Sequence, residues 1–113
     1  MKTILIIMTA LLTTVLVIGK DKQTVASWYG EKYRGKATAS GEPFNPSELT
    51  AAMWDVPFGT RYRVSYNGKS VVVRINDRGP AKHLNRGIDL SKAAFKKLSP
   101  LGKGLIKVKI EEI

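Results

Sequence analysis

The sequence predicts a mainly β domain, a small closed barrel with one short helix. Three observations carry this. Short runs of alternating apolar and polar residues recur, punctuated by glycine and proline. One pair of runs is joined by Asn67-Gly68, the signature of a tight hairpin. Only residues 91–98 carry a helical repeat. Several short strands, one hairpin and one helix suit a barrel, whose closure leaves no strand edge exposed.

The first nineteen of the 113 residues stand apart. Lys2 precedes an apolar run from Ile4 to Ile18, and Val17-Ile18-Gly19 offers a cleavage site. Residues 1–19 are expected to be a secretory signal peptide. Residues 20–24 follow as a charged linker. Val25 to Gly30 is a first strand, rich in aromatics and closed by glycine. Residues 31–46 form a loop with at most a brief strand near Lys36 to Ala39. Leu49 to Met53 is apolar and fits strand or helix.

The clearest pattern comes next. Tyr62, Val64 and Tyr66 alternate with Arg61, Arg63 and Ser65. After Asn67-Gly68 the return strand puts Val71, Val73 and Ile75 on one face. Residues 76–87 are a polar loop. Ile88-Asp89-Leu90 is a short apolar piece. The helix follows, with Asp89 or Ser91 as its N-cap. Ser99-Pro100 stops it, and Leu105 to Ile110 makes a last alternating strand. One domain, residues 25–113, accounts for the rest of the chain.

Lysine and arginine number 19 against 9 aspartate and glutamate, a net charge of +10. The cations are scattered. They suit a solvated surface or affinity for an acidic polymer. Export turns that affinity away from nucleic acid and towards the cell envelope, in the periplasm or outside the cell. There is no cysteine, so no disulfide and no lipid-bearing cysteine. His83 is the only histidine, with no serine or cysteine context for a triad and no metal cluster around it. No cofactor is expected. The domain is expected to be a monomer without stable membrane association once its leader is removed.

The remaining candidates are acidic. Asp21, Glu31, Glu111 and Glu112 read as solvated, and Glu48 and Asp55 lack context. Glu42, Asp77 and Asp89 lie in or beside loops, with Trp28, Tyr29 and Trp54 as aromatics. Acids that protonate a glycosidic oxygen and rings that stack on sugars are what a glycan site needs. Each residue also has a plain structural use. Asp77 could brace its turn, Glu42 tie a loop, Asp89 cap the helix, and Trp28 or Tyr29 fill the core.

Six segments in order carry a resemblance: Ala26 to Gly30, Thr38-Ala39-Ser40-Gly41-Glu42, Leu49 to Ala52, Pro57 to Thr60, Val71 to Pro80, and Ile88 to Ser91. Together they resemble the double-psi β-barrel domain of the RlpA-like family (rare lipoprotein A, septal lytic transglycosylases), a barrel shared with expansins. The resemblance implies a six-stranded double-psi β-barrel. It implies peptidoglycan glycan strands as partner and substrate, cut between N-acetylmuramic acid and N-acetylglucosamine to leave a 1,6-anhydro end. The muramic C6 hydroxyl attacks its own anomeric carbon, so one acid/base and one charge-stabilising group suffice. Asp77 and Glu42 match the family's catalytic pair. Glu42 has only small sequence neighbours. Asp77 lies between Arg74 and Arg78, which favour its charged form. The two roles stay open at this point. Asp89, Arg78, Thr38, Trp28, Tyr29 and Trp54 are the expected substrate contacts. The chain departs from the pattern at Met53, where the family has a histidine, and methionine cannot shuttle a proton. An expansin-like module that binds glycan without cutting it is the alternative.

Overall fold

A computed structural model describes residues 21–84 and 86–113. The expected signal peptide lies outside them. Six strands form: β1 (Lys22–Tyr29), β2 (Thr50–Ala52), β3 (Arg61–Tyr66), β4 (Lys69–Asp77), β5 (Ile88–Ser91) and β6 (Ile106–Glu112). One helix, α1 (Lys92–Leu98), follows β5 directly. The strands close into a barrel in the order β1-β5-β2-β4-β3-β6. The pairs β1·β5 and β2·β4 are parallel, and the others are antiparallel.

The alternation read from the sequence is the one that is buried. Val64, Val71, Val73, Ile75, Ile88, Leu90, Val108 and Ile110 fill the interior. Asn67 (φ 49°) and Gly68 (φ 80°) both take positive φ, the geometry of a type I′ turn. That turn pairs Val64 with Val71 and Tyr62 with Val73. Helix α1 adds Ala94, Phe95 and Leu98 to the core. Burying the Phe95 ring fully contributes about 1.5–3 kcal/mol.

Three local readings change. The first strand starts at Lys22, inside the expected linker, because Lys22, Gln23 and Thr24 pair with Ile110, Lys109 and Val108. Pairing with a distant strand overrides a polar local sequence. Residues 36–39 form only a single bridge, Ala37 to Pro43. Asp89 is not the helix cap. It lies within β5, and the Ser91 hydroxyl accepts from the Ala94 N–H at 3.2 Å.

Gly87 sets where β5 meets β1. Its N–H donates to the Val25 carbonyl at 2.9 Å. A Cβ there would lie 1.8 Å from the Thr24 Oγ1. Only glycine permits this approach, and it seats β5 two residues before Asp89.

Candidate functional site

Cross-strand register assembles the site. Ser27 on β1 lies beside Asp89 on β5, Asp89 beside Ala52 on β2, and Ala52 beside Asp77 on β4. These four residues form one row across four strands. Laterally paired side chains share a face, so both carboxylates project from the same side of the barrel. Two interstrand steps separate them, about 10 Å between Cα atoms. Ala52, with only a methyl side chain, lies between them in the row.

A β-bulge makes the row possible. Ala51 pairs with Ile75, but Ala52 pairs with Asp77, skipping Asn76. Without the extra residue, Asp77 would follow Val73 and Ile75 onto the core face. Bulges re-aim side chains in this way beside functional sites.

Asp77 is tightly placed. Its Oδ1 accepts from the backbone N–H groups of Ala39 and Arg78, each at 2.9 Å. Among the described residues, none donates to Oδ2. The expected pressure from Arg74 and Arg78 is redirected by the fold. Arg74 turns to Glu42 at 2.9 Å and Glu48 at 3.8 Å. The Arg78 guanidinium donates to the Met53 carbonyl at 3.2 Å and lies 3.9 Å from the Phe58 ring centroid. Neither side chain bonds the Asp77 carboxylate.

Asp89 is half-buried. Burial pushes its carboxyl above the usual carboxylate range. The Ser27 hydroxyl, donating at 3.1 Å, and the charge of Arg86 pull it back, while the charge of Asp77 adds to the rise. Tyr29 closes the groove above both. Burial and the charges of Asp77 and Asp89 push its phenol up, so it stays a donor. No described group bonds its buried hydroxyl. Its ring stacks on Phe44 at 4.4 Å and meets Tyr33 edge-on at 6.0 Å. The result is a groove of about 200 Å³ lined by Tyr29, Tyr33, Lys36, Ala37, Thr38, Phe44, Ala52, Asp77, Arg78 and Asp89.

Glu42 takes a different place from the one its small sequence neighbours suggest. Its carboxylate receives Arg74 and the Asn76 amide, which hold its carboxyl below the usual range. It does not line the groove, so it is not placed to meet a bound glycan. The Thr38 hydroxyl lines the groove but is spent on the Glu42 carbonyl at 2.8 Å. This bond folds the loop that aims the Ala39 N–H at Asp77.

The aromatics divide. Tyr29 is in the groove. Trp28 packs against the core and Phe95, with its indole N–H on the Leu101 carbonyl at 3.1 Å. Trp54 stands beyond Arg78, exposed, its N–H on the Pro80 carbonyl at 2.6 Å. Met53 is buried in the core cluster, and its backbone N–H donates to the Asp77 carbonyl at 3.2 Å. His83 is exposed in a short 3₁₀ turn and does not line the groove. Among the described residues, no three His, Cys, Asp or Glu side chains gather as a metal site would. Sequence reasoning missed Ser27, Lys36, Tyr33, Phe44 and Asn76. Ser27 was within reach, since strand alternation puts it on the face of Tyr29. The role of Asn76 depends on the bulge, which has no local signal.

Comparison with known proteins agrees with this fold. A family model described as lytic transglycolase matches residues 21–110. A Nostoc protein named probable endolytic peptidoglycan transglycosylase RlpA is 52% identical over 93 residues, 79% of this chain and 25% of its own length. The Neisseria meningitidis protein named endolytic peptidoglycan transglycosylase RlpA is 49% identical over 90 residues, 78% of this chain and 37% of its own. The chain thus spans about a quarter to a third or slightly more of these relatives. Among solved structures, the Streptomyces papain inhibitor superposes with a TM-score of 0.70 at 28% identity, covering 84% of this chain and 96% of that one. A Clavibacter michiganensis expansin, solved with cellohexaose, gives 0.67 at 17% identity over 82% of this chain and half of its own. That likeness shows the fold alone. The chain belongs to the lytic transglycolase family and carries its domain as a six-stranded double-psi β-barrel.

Proposed function

We propose that this domain is exported to the cell envelope and cleaves peptidoglycan glycan strands as a lytic transglycosylase. The carrying observation is the row Ser27–Asp89–Ala52–Asp77 along an aromatic-walled groove. The named activity of relatives that align along most of this chain supports the same reading.

Asp77 is the acid/base. Two backbone N–H groups fix one carboxylate oxygen, leaving Oδ2 to face the scissile bond. Its proton passes to the leaving glycosidic oxygen as the anomeric C–O bond breaks. The muramic C6 hydroxyl then bonds the anomeric carbon and returns its proton to Asp77. No water is consumed and the anhydro end results. Asp89 lies within reach of the charge that develops on the ring, and the Tyr29 ring walls the groove beside it. The partly exposed rings of Tyr33 and Trp54, approached by the ammonium groups of Lys32, Lys36 and Lys82, serve as sugar platforms. Glu42 acts through Arg74 and Asn76 as a positioning residue.

The test is digestion of peptide-free glycan strands followed by mass spectrometry. Anhydro-muramic ends are expected. Reducing ends alone, or no product at high protein load, would overturn the assignment. Met53 in the histidine position favours one second reading, glycan binding without cleavage. Retention on sacculi by a wild type that never forms product would select it.

A further inference from the structure

The opposite end of the barrel carries a second polar surface. The β3–β4 hairpin tip lies at the start of β4, eight residues from Asp77 at its end, roughly 26 Å along an extended strand. Two hollows of about 490 and 460 Å³ meet there, sharing Ser65, Tyr66, Asn67 and Lys109. Their cations are Arg63, Lys69, Lys107 and Lys109, and no carboxylate side chain lines either hollow. Register builds the surface. Gln23, Lys109, Ser65 and Ser70 form one row across β1, β6, β3 and β4, with Lys107 two residues along β6.

We propose that this face is a docking site for an anionic phosphodiester polymer with a polyol backbone. Lys69 and Lys107 have no carboxylate partner among the described residues. Lys109 pairs with Asp21 at 3.0 Å and Arg63 with Glu111 at 2.9 Å, but all four side chains are at least 40% exposed. Such surface pairs are weak and readily exchange for a ligand anion. Three of the four cations are lysines, which meet phosphate as point charges and need no fixed planar geometry along a flexible polymer. Hydroxyl and amide groups of Ser65, Ser70, Gln23 and Asn67 match a polyol. Tyr66 is the one aromatic in the hollows, too few for the serial base stacking of a single-stranded nucleic acid site. The site is independent of catalysis and would hold the domain on the envelope's acidic polymer while the groove at the other end works on glycan.

The test titrates the domain with soluble poly(glycerol phosphate) at several salt concentrations. Four neutralised charges predict a slope of log K against log salt of about −2.8, and K69S/K107S a slope shallower by about 1.4. The control K92S/K96S removes the same charge from α1 and leaves slope and affinity unchanged. Equal weakening by both double variants would show diffuse charge and overturn the site. Equal or tighter binding of polygalacturonate or single-stranded DNA would overturn the ligand class. Asp77→Asn binds the polymer like wild type, so loss of glycan cleavage and loss of polymer binding are read separately.

Discussion

Gly87→Ala tests whether the close approach of β1 and the β5 entry sets the site. The new Cβ would fall 1.8 Å from the Thr24 Oγ1, 2.7 Å from its Cβ and 2.9 Å from its Cγ2. Comfortable contact between such atoms needs about 3.5 Å or more. Rotating the threonine removes the first clash but not the second, so backbone must move. Thr24 is also held from its other side by Val108 of β6. Overpacking of this kind costs about 1–3 kcal/mol, and the upper part of that range applies here. In a domain of this size that lowers the melting temperature on the order of 10–20 °C. Thermal unfolding followed by circular dichroism reads it. Thr24→Gly removes all three clashing atoms at a cost of about 0.5–1 kcal/mol for glycine in a strand. The double variant should therefore melt close to Thr24→Gly alone. A Gly87→Ala protein melting within about 2 °C of wild type, or a double variant less stable than either single one, would refute the reasoning.

Other expectations follow from the same geometry. Asp89 has a folded-state carboxyl raised above its ordinary 3.8, so the native state binds more protons than the unfolded chain in that window. Its contribution to stability therefore falls as pH rises, and Asp89→Asn should melt above wild type at pH 7 (about neutral), with the gap closing below about pH 3.8. A gap independent of pH would contradict this. Ser91→Ala removes the cap and strands the Glu48 carbonyl, which receives Ser91 Oγ at 2.6 Å. The loss should be about 1–2 kcal/mol by denaturant unfolding. If Glu42 positions the loop and does not donate a proton, Glu42→Gln and Arg74→Gln should lower kcat to a similar extent, with stability losses within about 1 kcal/mol because the pair is half-exposed. A large kcat loss in Glu42→Gln alone would instead make Glu42 the acid.

Much of this arrangement was legible in the sequence. Alternation in residues 61–75 and the Asn67-Gly68 turn gave the hairpin and its register, because a two-residue turn fixes pairing and one face is buried. The motif around Asp77 falls at the edge of a groove. What was not legible came from contacts distant in sequence. The charge state of Glu42 depends on Arg74 and Asn76, more than thirty residues away. Arg78 sits next to Asp77 in sequence yet reaches the Met53 carbonyl. Partners distant in sequence, Glu42 for Arg74 and the Met53 carbonyl for Arg78, draw both guanidinium groups away, so sequence neighbours were the wrong guide to electrostatic neighbours. The bulge at Asn76 has no composition signal, though it decides which way Asp77 faces.

The most direct test of the central claim compares wild type and Asp77→Asn on peptide-free glycan strands, counting anhydro-muramic ends by mass spectrometry. Removal of a general acid/base should lower the rate by roughly 10²–10⁴-fold while melting temperature and sacculus binding stay near wild type. An Asp77→Asn protein that still forms anhydro ends at close to the wild-type rate would contradict the account.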